Sequence, residues 1–498
     1  MLKFKTQNFE PSDEMTNLWV YNGLDTCLTF EIHQKLQPLF NHNTRTIYKW
    51  EFSAQAVALE MMFRGFRVDP EYVHKTLLEA QDEYAHYLEM LNKLAYAVWD
   101  KELNPNSPAQ LKDFIYGAFG LAPVSYRGKV STDRKALEKV MESNLYIRPI
   151  AKLVLLLHDL GKTISVLKSE IDPDLRMRTN YSVAGTETGR WNSAINAFGG
   201  GTNMQNITNH LRRIFVADPG KKIAYIDLQA AESKAVGYIS GDPAYIELCD
   251  HGDAHTAVAR LVWTDLPWTG DISKDKTIAS NTPFYREFSV RDMAKKGGHG
   301  TNYFGTPATM AGHLKMPVAT IAKFQESYFK AFPGIPAWHK RTIQKIQLEH
   351  KITTCFGRER IFFGRASEAS TWREAIAFEP QSTIADTLNF AAWRVQRRWQ
   401  GKDVELIAQV HDAIVVQYPE DREDELIPQI LSEMIYPIPI NGRVMYIGVD
   451  AETGWNWAHF NKKDPTENPD GIRKYKGNDD RTRQHIPNDN ILDWQFDR

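Results

Sequence analysis

Apolar residues recur at three- and four-residue spacing through much of residues 30 to 175, as in YVHKTLLEAQDEYAHYLEMLNKLAYAVW (Tyr72 to Trp99). That period predicts helices with one buried stripe, and NSPAQ (Asn106 to Gln110) offers a Ser/Pro start to another. From Tyr181 the pattern gives way to Gly, Ser, Thr and Asn in YSVAGTETGRWNSAINAFGGGTNMQNI. A loop that long is more than a connection, and such loops usually bind something. KKIAYIDLQAAESKAVGYISGD (Lys221 to Asp242) then predicts a short strand over Ile223 to Ile226, Asp227 at its end, and a helix from Leu228. Helical patterns dominate from Asp250 to Trp372, broken at AFPGIP (Ala331 to Pro336), and a further helix runs on from Arg373. It leads into ELIAQVHDAIVVQY (Glu405 to Tyr418), two apolar, β-branched runs separated by His411 and Asp412, the spacing of a β-hairpin. The segment after Lys462 is polar and rich in Pro, Gly and Asn, which predicts a mobile tail.

Two acids interrupt apolar contexts in this pattern. His-Asp is a poor substitute for the Asn-Gly or Asp-Gly that two-residue turns favour, although Asp is also an ordinary turn former. Asp227 at a strand end can present its oxygens to a ligand or simply cap the next helix. Brought together, Asp227 and Asp412 would make a carboxylate pair suited to hard divalent cations, an arrangement shared by polymerases, nucleases and phosphatases. Between them, RDMAKKGGHGTNYFG (Arg291 to Gly305) spaces Arg291, Lys295 and His299 four residues apart, one row of a helix. Two cations on one face suit a triphosphate, Arg as a fork and Lys as a point charge, while a solvated basic helix is the plainer alternative. Gly297 and Gly298 each cost a helix about 1 kcal/mol relative to Ala, which points to a close approach there.

Composition narrows the setting. With 498 residues, 42% hydrophobic and 24% charged, the chain can form two to four domains with real cores. No apolar run approaches the roughly 20 residues of a membrane span, and MLKFKTQNFEPSDE lacks a signal-peptide apolar region, so a cytoplasmic protein without membrane contact is expected. Cys27, Cys249 and Cys355 are too few and too scattered for a disulfide framework or a zinc site. The net charge of -2 hides basic clusters such as HLRRIF, RDMAKK and RVQRRWQ.

The order of motifs resembles the family A DNA polymerases, those similar to bacterial DNA polymerase I, and especially their shorter phage members. IDLQAAE resembles motif A, RDMAKKGGHGTNYFG motif B and QVHDA motif C. TETGRW, NMQNI, DAHTAVA and REAIAFEPQSTIAD resemble four further segments of the family in the same order. The resemblance implies an α+β polymerase right hand with an antiparallel-sheet palm, helical fingers and a helical thumb. Its divisions would be a remnant of an exonuclease domain (1–40), connector and thumb (41–180), first palm part (181–245), fingers (246–372), second palm part (373–461) and a polar tail (462–498). It implies that Asp227 and Asp412 hold two Mg2+ ions with help from the Leu228 carbonyl. Arg291, Lys295 and His255 would grip the triphosphate of an incoming deoxynucleotide, and Glu232 would exclude a ribose 2′-hydroxyl. Tyr303 would sit beside the template base, and His411 near the primer terminus. Arg190, Asn203, Gln205, Arg373, Gln381 and Lys162 would contact primer–template DNA. His299 stands where the family usually has Phe or Tyr against the sugar and base, Ala413 replaces an acid often found after the motif C Asp, and Gln229-Ala230-Ala231 replaces Ser-Gln-Ile.

A single-subunit RNA polymerase would share the palm and both aspartates, but Glu232 argues against it. A non-catalytic DNA-binding scaffold would have lost at least one of Asp227, Asp412, Arg291, Lys295 or Tyr303, and all five are present. Near the N-terminus, Tyr21 and Asp25 have the YxxxD spacing of the final motif of the family's 3′–5′ exonuclease, without room before them for that domain's first acids. The expectation is a chain that lacks a complete exonuclease site, with either a vestigial helix or a site completed by a separate exonuclease subunit or another replisome protein.

Overall fold

The structure is a computed structural model that describes residues 14–126, 128–196, 199–250 and 253–477. At its centre six strands form one sheet, in the order Glu405–Val410, Ala413–Pro419, Lys221–Leu228, Val449–Gly454, Gly471–Lys474 and Asn456–His459. All neighbours are antiparallel except the last pair, which is parallel. Residues 413–418 are all buried. This strand has partners on both edges and packed layers on both faces, so an unbroken apolar run serves where alternation would not. Ile414, Val416 and Tyr418 join Ala224, Ile226 and Leu228 in one core, while Val415 and Ile223 join Phe215 and Trp457 in another. The two-residue period of a strand makes that division.

The hairpin read from the sequence is present, with Val410 paired to Ala413 across His411 and Asp412. His411 adopts φ 55, the left-handed region that costs a residue bearing Cβ about 1–2 kcal/mol. The motif A segment differs from expectation. Asp227 and Leu228 lie inside the strand, and the helix starts only at Ala231, after Ala230 at φ 47. Asp227 therefore caps nothing, because pairing on both edges extends the strand past the point where local pattern would end it. The expected mobile tail also needs correction in its first part: Gly471–Lys474 pairs with Val449–Gly454 and enters the sheet. Its polar residues do not prevent this, since backbone groups make the ladder. Residues 478–498 lie outside the described residues.

Helices flank the sheet. Ala369–Trp399 is buried on every side over residues 382–392 and backs the hairpin. It carries Asp386, which with Glu51 holds the buried guanidinium of Arg358 at 2.8 Å and 2.5 Å. Pro70–Trp99 begins with Asp69 accepting from Glu71 and Tyr72 amides and with Pro70 in its first turn. It packs on Arg148–Leu167 around Leu91, Ala95, Val154 and Leu157. The first described helix, Glu14–Leu36, leaves Trp19, Tyr21, Asp25 and Phe30 exposed. Among the described residues no helix is long and apolar enough to cross a membrane.

Candidate active site

Strand register assembles the acids. Asp227 pairs with Ala413 on one side and with Asp450 on the other, and the Leu228 amide donates to the Asp412 carbonyl at 3.0 Å. Cross-strand partners share a face, so Asp227, Asp450 and, two pairs further on, Glu452 point the same way, with Asp412 in the adjoining turn. Burial, and then the charges of Asp412, Asp450 and Glu452, push Asp227 up to about 7. Burial raises Asp412 as well, against the opposing pull of Arg190. Among the described residues no cluster of three His, Cys, Asp or Glu forms a ready metal cage. Two half-buried carboxylates short of positive charge nevertheless suit Mg2+, which keeps waters and substrate oxygens as its remaining ligands.

Across a cleft of about 500 Å³ lies the Val290–Asn302 helix. Its first turn carries a capping box, Ser289 and Asp292 each bonding the other's backbone amide. Leu228, Glu232, His255, Lys295, His299 and Asp412 all line the cleft. His299 Nδ1 is 3.2 Å from Glu232 Oε2, and the two rings of His299 and Tyr303 meet at 4.8 Å. The His299 hydrogen bond holds Glu232 below the usual carboxylate range. Burial, with the charges of Arg291 and Lys295, pushes His255 down to about 4 despite Asp253, so this imidazole is neutral at pH 7. Tyr303 keeps its hydroxyl buried on the side of Glu232, whose carboxylate it also helps to hold low. The close approach expected at Gly297 is real but internal: a Cβ there would lie 2.6 Å from Met293 Cε and 2.8 Å from Phe324 Cε1. The glycine lets the helix sit on its own core.

Arg190 closes the cleft's third side, its Nη2 3.7 Å from both Glu232 and Asp412. It follows Gly189, at φ 78, whose missing Cβ would stand 2.6 Å from the Arg358 guanidinium. Arg190, Gln205, His411 and Asp412 line an adjoining pocket. Gln205 is engaged with the backbone, donating to Trp191 O at 3.0 Å and accepting from Ser193 N at 3.1 Å, and Asn203 accepts from the Gln205 amide. Arg373 and Gln381 stand on the long Ala369–Trp399 helix, and Lys162 is exposed on Arg148–Leu167, 3.5 Å from Asp159. These last three line neither pocket.

Sequence reading passes over two residues of this region. Asp253 caps Ala254–Val262 and holds Arg291 at 2.7 Å; its position before His255 in DAHTAVA is the available signal. Asp450 accepts from Gln229 at 2.8 Å, and nothing local marks an acid whose place depends on strand register.

A family model described as "DNA polymerase family A" matches residues 74–459. Among curated proteins, DNA polymerase I of Chloroflexus aurantiacus is 28% identical over 465 residues, covering 88% of this chain and 46% of that protein. The thermostable DNA polymerase I of Thermus aquaticus is 26% identical over 408 residues, covering 77% of this chain and 45% of that protein. The chain thus spans about half the length of the curated relatives it matches. Among solved structures, the POL domain of Pol1 from M. smegmatis, in complex with DNA primer-template and dNTP, superposes with a TM-score of 0.68 at 22% identity. That match covers 82% of this chain and 70% of the other, and it bears out the α+β polymerase hand as the fold.

Proposed function

The chain belongs to DNA polymerase family A, and from that premise we propose that it is a DNA-directed DNA polymerase extending a primer 3′ end with deoxynucleoside triphosphates on a DNA template. The observation that carries this reading is the register of Asp227 against Ala413, which sets Asp412 beside it on one wall of a cleft lined opposite by Lys295 and His255. An acidic wall facing a basic one fits a divalent cation bridging to phosphate. Asp227 and Asp412, with the Leu228 carbonyl, would hold two Mg2+ ions, which when bound activate the primer 3′-oxygen and stabilise departing pyrophosphate.

The chain's own side chains do the rest. Lys295 and Arg291 supply charge to the triphosphate, and neutral His255 can donate one uncharged hydrogen bond to it. Glu232, held by His299, fills the space beside the sugar and excludes a 2′-hydroxyl. Tyr303, with its hydroxyl buried, would sit beside the template base. Arg190 and His411 meet the primer end, and Gln205, Asn203, Gln381, Arg373 and Lys162 serve the DNA, the first two mainly by fixing the loop that carries Arg190. We further read the protein as a phage replication enzyme of the host cytoplasm, on its likeness to the shorter phage members. Tyr21 and Asp25, exposed on the first described helix, would be a vestige or one part of a site shared with a separate exonuclease subunit or another replisome protein.

Primer extension on a defined template, with Mg2+ and either deoxy- or ribonucleotides, tests the reading. Template-dependent extension with deoxynucleotides is expected. Preference for ribonucleotides would replace it with the RNA polymerase reading. A 3′-labelled mispaired primer with Mg2+ and no nucleotides should stay intact, and shortening that Asp25→Ala abolishes would place a complete exonuclease site on this chain.

A further inference from the structure

Arg291, one turn before the cleft-lining Lys295, is already engaged. Its Nε and Nη2 donate to one oxygen of Asp253, Oδ2, at 3.1 Å and 2.7 Å. The other oxygen, Oδ1, accepts from the amides of His255 at 3.2 Å and Thr256 at 3.4 Å, which caps the Ala254–Val262 helix. Thr256 Oγ1 adds a bond to Oδ2 at 3.2 Å, and Lys276 Nζ lies 4.0 Å from the same atom. The carboxylate is only 15% exposed and Arg291 24%. Burial pushes Asp253 up, but the Arg291 guanidinium and the Thr256 hydrogen bonds together hold it below the usual carboxylate range.

One carboxylate therefore sets two of the groups assigned to the triphosphate. Through Oδ1 it fixes the first turn of the helix that carries His255, and through Oδ2 it takes one edge of the Arg291 guanidinium. Among the described residues Nη1 has no hydrogen-bond partner, so the fork keeps donors for an anion. Without the negative charge, Arg291, Lys276 and, one turn along, Lys295 would crowd one region of positive potential, and a flexible Arg would lose its preferred orientation.

We propose that Asp253 is a positioning residue for the triphosphate of the incoming nucleotide, holding Arg291 by its Nε–Nη2 edge so that the rest of the guanidinium is ready for phosphate. The proposal rests on the polymerase reading for the identity of the substrate, but its core, an anion site for a linear polyphosphate, does not. Two other roles are distinguishable. If Asp253 only caps its helix, Asn should replace it without loss, since Asn caps as well as Asp. If Asp253 competes with phosphate for Arg291, its neutralisation should tighten binding.

The test uses the full chain, with inorganic tripolyphosphate binding followed by calorimetry and single-nucleotide extension followed by steady-state kinetics. Asp253→Asn should weaken tripolyphosphate binding and raise nucleotide KM on the order of tenfold, the scale of a lost charge-assisted pair, with kcat and primer–template affinity changed much less. In an Arg291→Ala background the same substitution should have little further effect, because Asp253 acts through Arg291. Unchanged or tighter binding in Asp253→Asn overturns the proposal, as does an equal loss in the Arg291→Ala background. Asp253→Ser, which also caps, supplies the same comparison should the Asn variant fold poorly. If the parent chain binds tripolyphosphate, and Asp253→Asn weakens it, yet no primer is extended, the polymerase reading fails and the positioning role stands.

Discussion

On the sheet side of the cleft, which Leu228 and Asp412 line, Asp227, Asp450 and Glu452 stand on one face of paired strands with Asp412 in the next turn, and burial with their repulsion lifts Asp227 to about 7. On the helix side Lys295 lines the cleft with Arg291 one turn before it, and a carboxylate already balances Arg291. Arg190 approaches Asp412 only to 3.7 Å, and Glu452 has the imidazole of His459 at 3.1 Å. The sheet wall is thus an unbalanced set of charges on strands paired along both edges, suited to a cation, and the helix wall is a partly balanced set on a single helix. Pairing along both edges serves the side that must hold reacting atoms in place, and prior balance serves the side that meets a changing anion.

Removing a carboxylate from the sheet wall should have the largest effect. Asp227→Ala or Asp412→Ala is expected to lower extension by roughly a thousandfold or more while primer–template binding, measured by anisotropy, changes little. Ready extension by either variant would break the contrast between the walls. A charge lost from the helix wall should act on the nucleotide instead: Lys295→Ala is expected to raise nucleotide KM by about tenfold to a hundredfold, and an unaltered kcat/KM would remove Lys295 from the site. Where the walls meet, Glu232→Ala should relax sugar selection, read as the ratio of ribo- to deoxynucleotide incorporation. His299→Phe should move the same ratio by a smaller factor, because it frees Glu232 without deleting it.

The imbalance also predicts a stability trend. A carboxyl whose folded pKa is raised, from 3.8 to about 7 for Asp227, stabilises the fold below the unfolded value, and that contribution is lost as pH rises through the folded one. With divalent cations chelated, Tm should therefore fall between pH 5 and pH 8, and Asp227→Asn should flatten the fall and gain on the order of 1 kcal/mol at pH 8. Identical Tm profiles for the two proteins would mean that the acids are less strained than their register implies. The smallest effect belongs to Lys162, exposed and away from both walls; Lys162→Ala should leave nucleotide KM alone and reduce the salt dependence of DNA binding by about one charge.

Much of the cleft is legible in the residues alone. The hairpin around His411 and Asp412, the helical row Arg291–Lys295–His299, and the glycine pair behind it all follow from local pattern, because turn chemistry and helical periodicity act over a few residues. Other segments mislead. The strand over Ile223 to Ile226 reads as ending before Asp227, where two neighbouring strands prolong it to Leu228, and the polar stretch around Gly471–Lys474 reads as a loose tail where backbone pairing takes it into the sheet. Gln205 and Asn203 are residue types that suit DNA, yet part of their bonding capacity goes to the loop's own backbone.

What the chain carries in its sequence is the chemistry of each motif and its local form: which residues are acids, which are cations, and whether each sits on a strand, turn or helix. What only the tertiary structure decides is which distant groups share a charge environment. The Asp227–Ala413 and Asp227–Asp450 pairings join segments far apart in the chain, and the Asp253–Arg291 contact joins two helices. Such partners are fixed by sheet register, core packing and burial across long loops, none of which leaves a periodic trace in the residues themselves.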